Sequence, residues 1–231
     1  MRVLHFVHRL PPEYSGAAFQ ALRLIEAMDE LDGERVENHV VAYARHPEAC
    51  EPPPGIPVSV VQLRSGLLGK VRQYADLWHT YQRIRPDIVH VHGYHRPAVL
   101  FARSCPTVLK TTLLEVDDVP SIRRKGLLDA RLVDGVERVI SMTPAIAAAN
   151  AGAVTSIIPN GVDTRVFRPS GETAPATRSS LGFGEDELLF FFVGGDSVRK
   201  GVRTRDTDSV REGSPTRKES RGGRNTPSWR R

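Results

Sequence analysis

Seven short runs of apolar residues recur along the first 158 positions, and segments of helical period separate most of them. They are "RVLHFV" (2–7), "NHVVAYA" (38–44), "VSVVQL" (58–63), "DIVHVHG" (87–93), "TVLKTTLL" (107–114), "RVISMT" (138–143) and "VTSII" (154–158). Apolar residues fall on both parities, as in strands covered on both faces. Strands that alternate with helices give right-handed βαβ crossovers and a parallel sheet. The expected fold class is therefore α/β, a doubly wound parallel sheet. Ligands of such sheets bind outside the carboxyl ends of the strands. Here that edge is built from the loops 8–16, 92–96, 114–120, 142–145 and 159–163.

Helical period fits residues 17–31, where Phe19, Leu22, Ile25 and Met28 recur at three-residue steps with Leu24 beside them. In 67–85, Leu67, Val71, Tyr74, Trp78 and Tyr81 form one stripe. Shorter helical segments fit 95–103, 121–135 and 144–151. The second stripe is flanked by Arg64, Lys70, Arg72, Arg83 and Arg85, opposed only by Asp76. It reads either as a core face or as a surface for anionic lipid.

A hydrophobic content of 40% supports a packed core. The net charge of +5 is carried by residues 202–231, which hold nine Lys/Arg and four Asp/Glu; the rest holds 23 of each sign. A basic nucleic-acid-binding fold therefore has no support. Only Val202, Val210 and Trp229 are apolar in that segment, too few to offset the entropy of ordering it, so it reads as a disordered tail. Cys50 and Cys105 match no disulfide or metal spacing, which fits a reducing cytoplasm. "MRVLHFVHRL" is too short an apolar run for a signal peptide, and no stretch reaches the roughly 18–20 apolar residues of a membrane span. The expectation is a soluble chain, at most peripheral at a membrane.

"IIPNGVDTRVFRP" (157–169) closes the strand series. Pro159 ends the strand's hydrogen-bond ladder. Gly161 tolerates positive φ and would let the backbone turn back. Asp163 can cap the turn "TRVF", Phe167 can anchor it, and Pro169 can stiffen the exit. Next, "RSSLGFGEDELLFFFVGGDSVRKG" (178–201) reads as a helix end, an acidic turn, an apolar strand and a glycine-rich loop. That is the start of a second α/β unit. The expected organisation is 1–168, an N-terminal domain; 169–201, linker and first strand and loop of a second domain; and 202–231, the tail.

These segments resemble the glycosyltransferase family 4 enzymes of GT-B fold. "PNGVD", followed after a strand by "VGG" and "RKG", carries the resemblance; "MRVLHFVHRLPPEYSGAA" and "PDIVHVHG" extend it over residues 1–201. The resemblance implies a retaining glycosyltransferase that takes sugar from a nucleotide-diphosphate donor to a sugar or lipid-linked acceptor. The acceptor lies on the first domain and the donor on the second. It implies no resident cofactor or metal: cationic side chains and helix N-termini offset the charge of the leaving diphosphate. Lys200 matches the family's lysine, and Arg199 stands beside it. Gly195 occupies the position of the family's arginine. Gly16, with Ser15, matches the glycine pair of the first loop, with Ser15 standing in place of the first glycine. His92 would be a polar cleft residue or a structural one, and His90 a core histidine with its hydrogen bonds met. No third ligand is spaced to make them a metal site. Where the family often carries a His-Asp pair, this chain has "LLEVDDVPS"; Glu115 and Asp117 are the catalytic candidates there, with Asp118 a third acid, or else the acids cap the next helix. Glu212 and Glu219, seven apart in the tail, do not replace the family's glutamate pair for ribose and sugar. The expectation is an incomplete glycosyltransferase, inactive alone, or an acceptor-binding module.

Overall fold

The computed structural model describes residues 1–10, 16–32, 35–168, 179–180, 182–184 and 187–188. The chain divides into two units, Met1–Phe167 and Arg168–Arg231. The first is a seven-stranded sheet in which every pairing is parallel. In chain order the elements are β1 (Arg2–Val7), α1 (Gly16–Asp32), β2 (Glu37–Ala44), β3 (Val58–Gln62), α2 (Gly66–Ile84), β4 (Ile88–His92), α3 (Arg96–Val99), β5 (Thr107–Thr111), α4 (Val119–Arg124), α5 (Leu127–Val133), β6 (Arg138–Ser141), α6 (Pro144–Ala149) and β7 (Thr155–Ile157). The strand order β3-β2-β1-β4-β5-β6-β7 is the doubly wound, Rossmann-like arrangement. It reverses direction between β1 and β4.

Two cores lie on opposite faces of the sheet, as alternation along the strands requires. Leu4 and Phe6, Val41 and Tyr43, Val89 and Val91 face one core together with Leu77, Phe101, Ile122 and Leu132. Phe6 is fully buried, with the rings of Tyr43 and Phe101 stacked at 6.5 and 6.3 Å. Full burial of such a side chain contributes about 1.5–3 kcal/mol. The other core packs α1 on Val7, Val40 and Ala42. Its helix face is Ala18, Ala21, Leu22 and Ile25, an i, i+3, i+4, i+7 pattern. The small alanines take the inner positions and Phe19 is left exposed, so the face is rotated from the expected one.

Other departures have local causes. The 67–85 stripe is buried only in part: α2 buries Gln73, Leu77 and Tyr81, while Leu67 is 82% exposed and Val71 and Trp78 are also exposed. Gln73 takes a core position because its Oε1 accepts from Lys70 Nζ at 3.3 Å and from the Arg64 N–H at 3.4 Å. The expected helix 121–135 breaks at Gly126, whose φ of +146° only glycine adopts readily. Segment 95–103 is the four-residue α3 followed by a 3₁₀ turn. β5 stops at Thr111 rather than 114, because the Asp117 carboxylate captures the next two backbone N–H groups.

The junction is also different from its expected form. Gly161 does not have positive φ, and residues 158–163 carry neither turn nor strand. The bend comes later, over 164–166. Asp163 does cap it: Oδ1 accepts the Arg165 N–H at 2.9 Å, and its carbonyl accepts from Phe167 N–H at 2.8 Å. Hydrogen bonds from Arg165 hold the Asp163 carboxyl below its ordinary pKa. Phe167 is 72% exposed and anchors nothing among the described residues. What holds the segment is Asn160, whose Oδ1 accepts from Lys110 Nζ on β5 at 2.7 Å.

Candidate functional site

Where β1 and β4 lie side by side, the α1 face of the sheet carries polar side chains instead of apolar ones. The register sets His5 opposite His90, with His92 one pleat further toward the carboxyl edge. His5 Nδ1 and His92 Nε2 are 3.2 Å apart, and His5 Nε2 is 3.0 Å from Asn38 Oδ1 on β2. Asn38 Nδ2 donates to Asp29 Oδ1 at 2.9 Å, so its Oδ1 is free to accept. That fixes the tautomers: His5 carries its proton on Nε2, and His92 Nε2–H donates to the bare His5 Nδ1. Burial lowers His5 to about 4, and burial with the neighbouring His5 and Lys110 lowers His90 to about 3. His92 is pulled well down by burial first, and then by the neighbouring imidazoles and Lys110. All three are neutral at pH 7.

His92 is thus a buried, hydrogen-bonded residue at the carboxyl end of β4. His90 is the one whose hydrogen bonding is incomplete: its Nε2 has no partner among the described residues. Chain spacing shows only two histidines, on one strand. The parallel register brings His5 beside them from 85 residues away.

The loop after β4 adds a second cluster. Gly93 turns at φ +80°, a conformation that favours glycine. Tyr94 O–H and the Arg96 guanidinium both donate to Asp129 of α5; Arg96 does so through two nitrogens, Nε at 2.8 Å from Oδ1 and the other to Oδ2. The bidentate pair holds the Asp129 carboxyl below its ordinary pKa. Lys125 sits 5.0 Å over the Tyr94 ring. His95 packs against His8 and Tyr43, and His95 Nε2 and Tyr43 O–H have no partner among the described residues. No sequence motif marks the Arg96–Asp129 pair, which joins residues 33 apart.

The acidic candidates occupy the neighbouring loop. Asp117 is buried and accepts four hydrogen bonds: from Thr112 N–H at 2.9 and 3.1 Å, Thr112 Oγ1–H at 2.8 Å and Leu113 N–H at 2.7 Å. Burial nonetheless leaves its pKa raised. Its Oδ2 lies 3.6 Å from where a Cβ on Gly93 would sit, so Asp117 and the end of β4 share one edge. Asp118 is the N-cap of α4, accepting from Ser121 N–H at 2.9 Å. Glu115 is exposed and has a φ of +62°, a strained backbone for a residue with a Cβ. Gly16 opens α1 at the carboxyl end of β1, and a Cβ there would touch nothing. Ser15, Arg199 and Lys200 lie outside the described residues.

A Rossmann-like sheet with polar groups gathered where β1 and β4 meet defines a doubly wound α/β domain with its candidate site at the switch point. The glycosyl transferase 4-like domain model matches residues 15–182, and the chain belongs to that family. Among solved structures, the chain is similar to the Anabaena protein HepE, solved in complex with UDP and glucose, at 19% identity and a TM-score of 0.54. It is also similar to the apo form of the lipopolysaccharide outer core galactosyltransferase WaaB, at 11% identity and a TM-score of 0.50. The matches cover 79% and 74% of this chain and 50% of each of those proteins, so the chain spans about half their length. No curated protein matches it in sequence. Among the described residues no helix is long and apolar enough to cross a membrane.

Proposed function

We propose that residues 1–168 are the acceptor-side domain of a retaining glycosyltransferase that uses a nucleotide-diphosphate sugar. The observation that carries this reading is the polar carboxyl edge at the β1/β4 switch point, in a domain of the glycosyl transferase 4-like family. On this reading Gly16, with Ser15, admits the acceptor and the donor diphosphate close to the backbone. His92 lines the acceptor side. Asp117 and Glu115 face the transferred sugar; of the two, Glu115 has the exposed carboxylate, and Asp117 holds the loop in place. Arg199 and Lys200 would offset the diphosphate charge as it leaves. Turnover then requires a donor-side half, supplied by residues outside those described here.

The start of α2 favours contact with a membrane surface as part of the same role. Leu67, Leu68 and Val71 are exposed beside Lys70 and Arg72, an arrangement suited to anionic headgroups at the cytoplasmic face. A non-catalytic acceptor-binding module is the alternative, and one calorimetric series separates the two. Titration with UDP- and GDP-sugars, with and without a donor-side fragment, is expected to give millimolar or tighter binding and sugar transfer only with the fragment. Acceptor binding without transfer in either arm would establish the module instead. Binding of neither donor nor acceptor sugars, with a dinucleotide bound in their place, would overturn both.

A further inference from the structure

We propose that His5, His90 and His92 form a binding site for one borderline divalent transition-metal ion, of the Zn²⁺, Co²⁺ or Ni²⁺ class, between β1 and β4. One ring nitrogen from each histidine lies within 4.8 Å of the other two. A tetrahedral ion with nitrogen ligands at about 2.0–2.1 Å needs them about 3.3–3.4 Å apart. The His5 Nδ1–His92 Nε2 pair is already at 3.2 Å. His90 stands opposite His5 in the register, its ring centroid 4.0 Å from that of His92.

Three features distinguish this cluster from a polar core that merely satisfies itself. The first is the unmet nitrogen, since His90 Nε2 is buried without a partner among the described residues, a desolvation cost that a purely structural role leaves unrecovered. The second is the outer shell. His5 Nε2–H is held by Asn38, and Asn38 by Asp29, the arrangement that orients a ligating imidazole and leaves its other nitrogen bare. The third is burial: His5, His90 and His92 all lie in the sheet interior, where bulk water does not compete for their ring nitrogens. On binding, His92 leaves Nε2 to the metal and carries its proton on Nδ1. Three imidazoles with no carboxylate select a borderline transition ion over Mg²⁺ or Ca²⁺. Lys110, on the same face, opposes a cation, but Asn160 draws its ammonium toward the junction. The ion would brace the two strands at the point where the sheet order reverses. This site does not depend on the glycosyltransferase reading.

The test uses the untagged full chain, stripped with chelator and titrated with Co²⁺. One equivalent is expected, with the visible absorption of a tetrahedral ion, unaffected by excess Mg²⁺ and displaced by Zn²⁺. His90→Gln is expected to weaken binding at least tenfold, Asn38→Ala about 10–100-fold, and the exposed His79→Gln not at all. Imidazole-nitrogen NMR of the unaltered chain needs no variant: Zn²⁺ is expected to shift the His5, His90 and His92 rings and leave His79 in place. Absence of stoichiometric Co²⁺ binding by the unaltered chain overturns the proposal. So does binding that His90→Gln leaves unchanged, or Zn²⁺ shifts confined to other histidines.

Discussion

The centre of the sheet and its far edge treat side chains in opposite ways. At β1 and β4, imidazoles are buried and mostly hydrogen-bonded, and apolar groups fill both cores behind them. At β7 and the junction after it, Ile157, Ile158, Val162, Val166 and Phe167 all stand exposed. The same kinds of residue thus carry stability in one place and little in the other. Position in the sheet decides this: a central strand is flanked and covered on both sides, an edge strand on one.

The sharpest way to break that contrast is to truncate one phenylalanine in each region. Phe6→Ala removes a fully buried ring stacked between Tyr43 and Phe101 and is expected to cost about 3–5 kcal/mol in denaturant unfolding. Phe167→Ala is expected to stay within about 0.5 kcal/mol of the unaltered chain. A large loss on Phe167→Ala would mean that the ring is covered in solution.

Acid should separate the regions next. The folded pKa values of His5 and His90 lie near 4 and 3, below the ordinary 6.5. Above about pH 6.5 both states hold these rings neutral and the full stability is present. As pH falls below that, the unfolded chain binds protons that the fold refuses. Stability is then lost until pH drops through the folded values, by up to about 1.4 kcal/mol per pH unit for each ring. Unfolding midpoints measured from pH 7 to pH 4 should fall, and His5→Asn should flatten the slope. A pH-independent midpoint over that range would show the rings to be hydrated.

Much of this fold could be read from the chain because its signals are local. Seven apolar runs of strand length, punctuated by Gly and Pro, fall within a few residues of the seven strands. Capping by Asp118 and Asp163 follows from the same local chemistry. What could not be read depends on register and distance. His5 joins His90 only through the β1–β4 pairing, and Arg96 meets Asp129 only once α5 has packed beside α3. The α2 stripe misleads because period alone cannot tell which turns of a helix the sheet reaches: Leu67 and Val71 lie before the covered part, and Gln73 replaces them by folding its amide onto Lys70. At Gly161 the residue permits positive φ but the chain has no need of it, since Asn160 is already held by Lys110.

A smaller effect than that of acid lies between the two regions, in the loop of the acidic candidates, and it runs toward greater stability. Glu115 keeps a left-handed backbone, φ +62°, at a site that glycine would occupy without cost. Nothing buries its side chain, so Glu115→Gly removes strain without opening a cavity. Against that gain stands the greater chain entropy that glycine brings to the unfolded state. The balance is a gain of up to about 1 kcal/mol, readable as a higher midpoint in urea with unchanged slope. Natural chains retain such strain mostly at functional sites. If Glu115→Gly stabilises the chain and at the same time abolishes transfer in the donor-supplemented assay, the carboxylate is retained for chemistry. If it stabilises and transfer is unchanged, the catalytic assignment falls on Asp117 or outside this loop.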